Sequence, residues 1–351
     1  MSWFPSVILR PRAGTLIVLG GSALGGAAYR YTQPTSSSDT SLNPHAFTPY
    51  TLVKKQAVSS TSAIFTLRNR NGSPDPDSVK EGWKRSVWSV QIKQPQLQIA
   101  RAYTPLPPAE AIQKGKREDP EDIRLLIRQE EGGEVSSYLH RLPEQSTIEL
   151  RGPNTECELP HDIKQVIFLA GGTGIAPAMQ VAQAMARRTD SKMHLLWANR
   201  RREECIGGIS DETESNKIVH NRSAWWRSLL GLSQLAAEQT LVDNHSAQGK
   251  GVIVQELDAL KERSRAHTKG LEVHYYVDVE KRFIKPVDVA RRLGLDAPEE
   301  KGSKVILVSG PEGFIEHWAG KKLWVGGREV QGPLGGVLGR MDLKGWRVFK
   351  L

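Results

Sequence analysis

A chain of 351 residues is long enough for two domains that each bury a core, and its formal charge of +9, from 48 basic against 39 acidic residues, favours anionic membranes or acidic protein partners. The basic residues are scattered apart from Arg200, Arg201 and Arg202, and no zinc-finger spacing occurs, which argues against a nucleic-acid partner. Cys157 and Cys205 are too few for a disulfide framework and lack redox spacing, and the nine histidines show no metal-ligand pattern, so no protein-bound metal is expected.

The N-terminus comes first in chain order. Residues 1–38 hold no Asp or Glu, carry Arg10, Arg12 and Arg30, and include the apolar run 14–29. That composition predicts a targeting and single-helix membrane anchor over residues 1–31, of mitochondrial type; a cleaved secretory signal would use the same apolar run. Residues 32–44, rich in Ser, Thr and Pro, read as a flexible tether.

From residue 45 to about 160 the chain offers short β-branched or alternating runs at 63–67, 86–92, 123–127 and 147–150, separated by turn residues, and 71–77 and 105–120 are loops by composition. Such spacing predicts an antiparallel barrel. Arg101, Tyr103 and Thr104 close a strand-like stretch just before Pro105. A guanidinium that can bridge a pyrophosphate, a flat aromatic and a hydroxyl in alternation suit a flavin nucleotide, provided a second nucleotide site lies downstream. Ser136 precedes an expected short helix over 137–142, where an N-terminus and a hydroxyl together favour a phosphate.

After residue 161 the pattern changes to buried strands alternating with helices: 165–170, 194–198, 273–277 and 305–309, with a helix over 252–263. This is a doubly wound parallel sheet. At 168–177 an apolar strand stops at Gly171, Gly172, Thr173 and Gly174 and resumes as a helix whose first position suits Pro177. The open N–H groups of such a turn attract an anion, although Gly-x-Gly-x-x-Pro also serves as a plain tight turn. The long stretch between the second and third strands predicts an insertion at about 203–250, where Trp225 and Trp226 fit either a docking face or a packed helix.

Six segments in fixed order now carry a resemblance: 101–106 (RAYTPL), 132–139 (GGEVSSYL), 151–153 (RGP), 170–177 (AGGTGIAP), 194–200 (HLLWANR) and 309–314 (SGPEGF). Together they resemble the ferredoxin reductase superfamily and, within it, NADH-cytochrome b5 reductase. The resemblance implies a Greek-key FAD-binding barrel (45–160) followed by an NAD(P)-binding domain (161–351). It makes Arg101 the pyrophosphate ligand, Tyr103 and Thr104 the flavin-ring contacts, and Gly133, Val135 and Ser136 the second flavin phosphate site. Gly171, Gly172, Thr173, Gly174 and Pro177 would hold the nicotinamide nucleotide, NADH or NADPH, with Gly310 and Pro311 closing the pocket. Ser309 stands where most members have a cysteine beside the nicotinamide, and Tyr103, Thr104 and Ser309 are the residues expected nearest the hydride path.

Nucleotide choice stays open, because Arg200, Arg201 and Arg202 could meet a 2′-phosphate while Asp278 sits where b5 reductases place an acid that disfavours it; NADH is preferred. Trp346 and Phe349 of the long tail either cover the flavin or fill a core. The anchor, the insertion, Ser309 and the tail together are most similar to mitochondrial flavoproteins of cytochrome c import and haem attachment. That implies an inner-membrane reductase facing the intermembrane space, passing electrons to haem or a haem protein, with apocytochrome c or a haem-attachment enzyme as partner. An outer-membrane NADH-cytochrome b5 reductase and a non-catalytic assembly factor are the alternatives.

Overall fold

The computed structural model describes residues 41–72, 75–108, 122–211, 249–265, 270–293 and 302–351. The expected anchor over 1–31, the tether as far as Thr40 and the Trp225–Trp226 pair lie outside these residues. Among the described residues, no helix is long and apolar enough to cross a membrane.

Seven antiparallel strands form the first half: β1 (Thr48–Ala57), β2 (Ser62–Asn69), β3 (Ser86–Gln94), β4 (Ile99–Tyr103), β5 (Pro105–Leu106), β6 (Ile123–Arg128) and β7 (Thr147–Glu158), in the order β4-β3-β7-β1-β2-β6-β5. Only Thr104 separates β4 from β5, yet β4 bonds β3 at one edge of the sheet and β5 bonds β6 at the other. The chain therefore switches edges across a single residue, and the sheet closes into a barrel. Pro105 explains the break, since it has no N–H to continue the ladder with β3. Inward residues such as Tyr50, Leu52, Phe65, Leu67 and Trp88 fill the barrel. A helix α1 (Asp77–Arg85) precedes β3, and α2 (Glu134–Arg141) follows β6. Leu42, three residues before His45, is buried in the barrel core, and the Ser41 carbonyl accepts from Thr48 Oγ at 3.2 Å.

The second half runs β8 (Ile163–Gly171), a 3-10 turn (Gly172–Gly174), α3 (Ile175–Met185), β9 (Lys192–Asn199), α4 (Val252–Arg265), β10 (Gly270–Val277), α5 (Pro286–Leu293), β11 (Ser303–Ser309) and α6 (Glu312–Ala319). A small hairpin of β12 (Leu323–Val325) and β13 (Arg328–Val330) follows, then β14 (Trp346–Lys350). The sheet order β10-β9-β8-β11-β14 is parallel throughout, as expected for a doubly wound domain. Its reversal point lies between β8 and β11. β14 adds a strand from the tail, where Phe349 and Trp346 pack against the clusters on the two faces of the sheet. They are core residues rather than an extension over the barrel. The start of the insertion covers the β10 edge: Tyr275 N–H donates to Ser210 Oγ at 2.9 Å and Val273 N–H to an Asp211 carboxylate oxygen at 2.7 Å. Edge N–H groups are thereby occupied.

The halves share a core. Ile64, Val87, Leu106 and Leu126 of the barrel belong to the same buried cluster as Val166, Phe168, Met179 and Val181. Burial on this scale fixes the barrel against the sheet and sets the cleft between them.

Candidate cofactor cleft

The strand ends and helix starts expected to carry chemistry come together at one side of this junction. Arg101 lies exposed on β4 and makes no ion pair among the described residues, where its guanidinium meets the Ala100 carbonyl at 3.2 Å. Tyr103, two residues on, packs half-buried against the cluster that holds Val135 and Leu139 of α2. Burial pushes its phenol up to about 12, opposed by Arg101 and assisted by Glu130, so the ring is neutral at physiological pH.

Helix α2 starts earlier than the sequence indicated. Gly133 is its N-cap, so Ser136 is the third helical residue and not the residue before the helix. Its buried hydroxyl is turned inward, accepting from Glu130 N–H at 3.1 Å and donating to the Gly133 carbonyl at 3.2 Å. Ser136 thus shapes the 130–133 turn. A Cβ on Gly133 would lie 2.6 Å from Ser136 Oγ, which is why glycine stands there. The first in-helix bond is Ser137 N–H to Gly133 O, so the N–H groups of Glu134, Val135 and Ser136 have no partner among the described residues. Three open donors at a helix N-terminus and an exposed guanidinium nearby suit an anionic diphosphate.

At the reversal point of the second sheet, two glycine turns meet. A Cβ on Gly174 would overlap the Ser309 carbonyl, and one on Gly310 would lie 3.0 Å from Gly171. Here glycine is required by the close approach of the turns after β8 and β11 to each other. Gly172 differs, because its φ of +52° favours glycine while the nearest atom to a Cβ there is Arg128 Nη2 at 3.5 Å. Trp197 Nε1 donates to the Gly172 carbonyl at 2.9 Å and holds the turn down on β9. Pro177 is the third residue of α3 rather than the first, a position whose N–H would also lack a helical partner. Ser309 is buried at the end of β11, and Pro311 caps α6.

Two side chains not singled out in the sequence tie these parts together. Gln180 of α3, 1% exposed, donates from Nε2 to the carbonyls of Trp88 (3.1 Å) and Pro105 (2.8 Å) and accepts from Trp88 N–H at 2.9 Å. It links the nucleotide-side helix to the residue directly after Thr104. Arg128, at the end of β6, pairs with buried Glu204 beside the Gly172 turn. A glutamine inside a helix that is apolar apart from Gln180 and Gln183 is the available signal for Gln180; nothing in the sequence points from Arg128 to Glu204.

The arginine cluster divides. Arg202 forms a fork with Glu280, at 2.7 and 2.5 Å, whereas Arg200 and Arg201 are exposed. Asp278 follows β10, its carboxyl raised by burial and lowered by Arg200.

A closed antiparallel barrel with open diphosphate donors, joined to a parallel sheet whose reversal point carries glycine turns, defines a flavin- and nicotinamide-nucleotide-binding oxidoreductase. Residues 49–159 match the oxidoreductase FAD-binding domain and residues 168–240 the oxidoreductase NAD-binding domain. An uncharacterized FAD-binding protein of Schizosaccharomyces pombe is 31% identical over 50% of this chain and 60% of its own length, so the chain spans less than two thirds of that relative. The cytochrome c mitochondrial import factor CYC2 of Saccharomyces cerevisiae is 24% identical over 92% of this chain and 87% of its own. An NADH-cytochrome b5 reductase 2 of Neosartorya fischeri is 24% identical over 95% of this chain and 88% of its own. The chain is thus a cytochrome b5 reductase-like flavoprotein reductase that carries the oxidoreductase FAD-binding and NAD-binding domains.

Proposed function

We propose that this protein is a membrane-anchored mitochondrial reductase that carries electrons from NADH or NADPH through FAD to haem or a haem protein in support of cytochrome c maturation. FAD, when bound, would supply the two-to-one electron conversion, taking two electrons as a single hydride and giving them up singly. The chain's own residues bind and align. Arg101 and the N–H groups of Glu134, Val135 and Ser136 hold the flavin diphosphate, and Tyr103 and Thr104 lie against the ring. The glycine-rich backbone of the Gly172–Gly174 turn takes the nicotinamide nucleotide's phosphates, and Ser309, Gly310 and Pro311 border the nicotinamide. No side chain acts as a strong acid or base.

The observation that carries this reading is the position of the Gly172–Gly174 turn. It stands at the sheet's reversal point, where nucleotides bind in doubly wound folds, and Gln180 of the following helix is bonded to Pro105, next to the residues assigned to the flavin ring. What supports a haem acceptor is the similarity, over 92% of this chain and 87% of the relative, to a protein named as a cytochrome c mitochondrial import factor. Anaerobic mixing of the FAD-loaded protein with NADH and then with ferric haem, cytochrome b5 or apocytochrome c with haem tests it. Faster electron delivery to haem than to cytochrome b5 supports the proposal. Preference for cytochrome b5 returns the chain to an outer-membrane b5 reductase, and no reduction at all returns it to an assembly factor.

A further inference from the structure

The face of the second sheet beneath α5 carries a polar group that the cofactor cleft does not use. Along β9 and β10, Met193, Leu195, Leu271 and Val273 point into the core under α4, so His194, Glu272 and His274 share the opposite face with Leu196. Glu272 is the cross-strand partner of His194, and His274 stands two residues further along β10. The register places His194 opposite Ile167, four residues before Gly171, or roughly 13 Å from the nucleotide turn at strand rise.

His194 Nδ1 lies 3.0 Å and His274 Nε2 3.9 Å from Glu272 Oε2, and one ligand atom from each residue falls within 4.8 Å of the others. Both imidazoles are more than nine-tenths buried, at 4% and 2% exposure. His194 Nδ1 meets Glu272 as an ion pair, whereas His194 Nε2 and His274 Nε2 have no hydrogen-bond partner among the described residues. Leaving buried polar nitrogens in this state costs about 1–3 kcal/mol apiece, which calls for an occupant. We propose that His194 Nδ1, Glu272 Oε2 and His274 Nε2 bind a divalent transition metal of the zinc class, with the fourth position open through half-exposed Glu272.

Two imidazoles and a carboxylate are a common zinc donor set, and tetrahedral ligands at zinc bond lengths stand about 3.3 Å apart, close to the spacing already present. The surroundings also decide the class of ion. Lys192 Nζ sits 3.0 Å from Glu272 Oε1, and Arg292 is buried nearby, donating to the Asp288 carbonyl at 2.5 Å. These cations oppose a hard ion that needs several anionic oxygens, such as calcium or magnesium. A metal bound chiefly through neutral nitrogen tolerates them better.

The test uses the full FAD-loaded chain, stripped with a chelator and titrated with zinc chloride, then with calcium or magnesium chloride. One saturable zinc equivalent per chain is expected, weakened at least about tenfold in His194→Leu and in His274→Leu, with no comparable uptake of calcium or magnesium. Zinc should raise the Tm of the natural chain and leave that of either variant unmoved. Leucine removes an unpartnered polar group, so the metal-free variants should hold their fold; Glu272→Gln gives the same readout if they do not. The flavin absorbance band serves as the folding control. Absence of saturable zinc binding, or an equivalent that survives both leucine variants as an adventitious ion only, would overturn the site.

Discussion

Replacing Gln180 by leucine tests the link between the two nucleotide sites. Leucine fits the buried space, but it strands Trp88 N–H and takes a donor from the carbonyls of Trp88 and Pro105. A buried backbone group left unpaired costs about 1–3 kcal/mol, and three groups sharing one side chain total about 3–5 kcal/mol after local relaxation. The loss is also directional, because it frees β5, and with it Thr104, from the helix that follows the Gly172–Gly174 turn. A misplacement of about 1 Å between reacting rings lowers transfer roughly a hundredfold. Stopped-flow bleaching of the flavin by NADH should therefore slow roughly tenfold to a hundredfold, while the NADH concentration for half-maximal rate changes little, since Gln180 does not face the nucleotide. Urea unfolding should show the stability loss in the same variant. Gln180→Glu should be worse than Gln180→Leu, because a carboxylate would face two carbonyls. A Gln180→Leu protein that unfolds within about 0.5 kcal/mol of the natural chain and bleaches at the natural rate would refute the linkage.

Other consequences are as direct. Arg101→Ala removes an exposed guanidinium with no ion pair among the described residues; flavin affinity should fall roughly tenfold to a hundredfold with an unchanged unfolding midpoint, read from flavin content after dialysis. Gly174→Ala should disrupt folding or nucleotide binding through overlap with the Ser309 carbonyl, whereas Gly172→Ala, which meets Arg128 only at ordinary contact distance but has positive φ, should cost only about 1–2 kcal/mol in denaturation experiments. The buried Arg128–Glu204 pair predicts that either single alanine variant is destabilised by about 3–5 kcal/mol, and that a double methionine variant is destabilised less than either. Burial pushes the Cys157 and Cys205 thiols up to about 11, so neither should react with an alkylating reagent at pH 8 in the native protein, and both should react in denaturant.

What could be read from residues follows from locality. The strand, turn and helix around Gly172 are contiguous, and an apolar run cut by glycines announces all three, so β8 and α3 emerge close to their observed bounds. The barrel strands at 62–69 and 123–128 were visible through their β-branched runs. β4 shows as the strand-like stretch before Pro105, but β5 reads as the start of a loop, because it bonds the opposite edge of the sheet and Pro105 disguises its continuity with β4. β14 pairs in parallel with β11 across intervening segments that carry no periodic mark of that pairing. The start of α2 was misplaced because Ser136 has the composition of a cap, yet Gly133 holds that position and the serine hydroxyl is spent on the preceding turn. His194, Glu272 and His274 escaped a search by ligand spacing, since only strand pairing brings the first to the other two.

The central claim is that electrons pass from a nicotinamide nucleotide to a flavin held by this chain. The decisive measurement is the visible spectrum of the purified, FAD-loaded protein before and after anaerobic addition of NADH or NADPH. The account predicts a flavin band that bleaches with at least one of the two nucleotides and returns on addition of a ferric haem acceptor. A protein that takes up no flavin when FAD is supplied, or whose flavin band is untouched by both nucleotides, would contradict it.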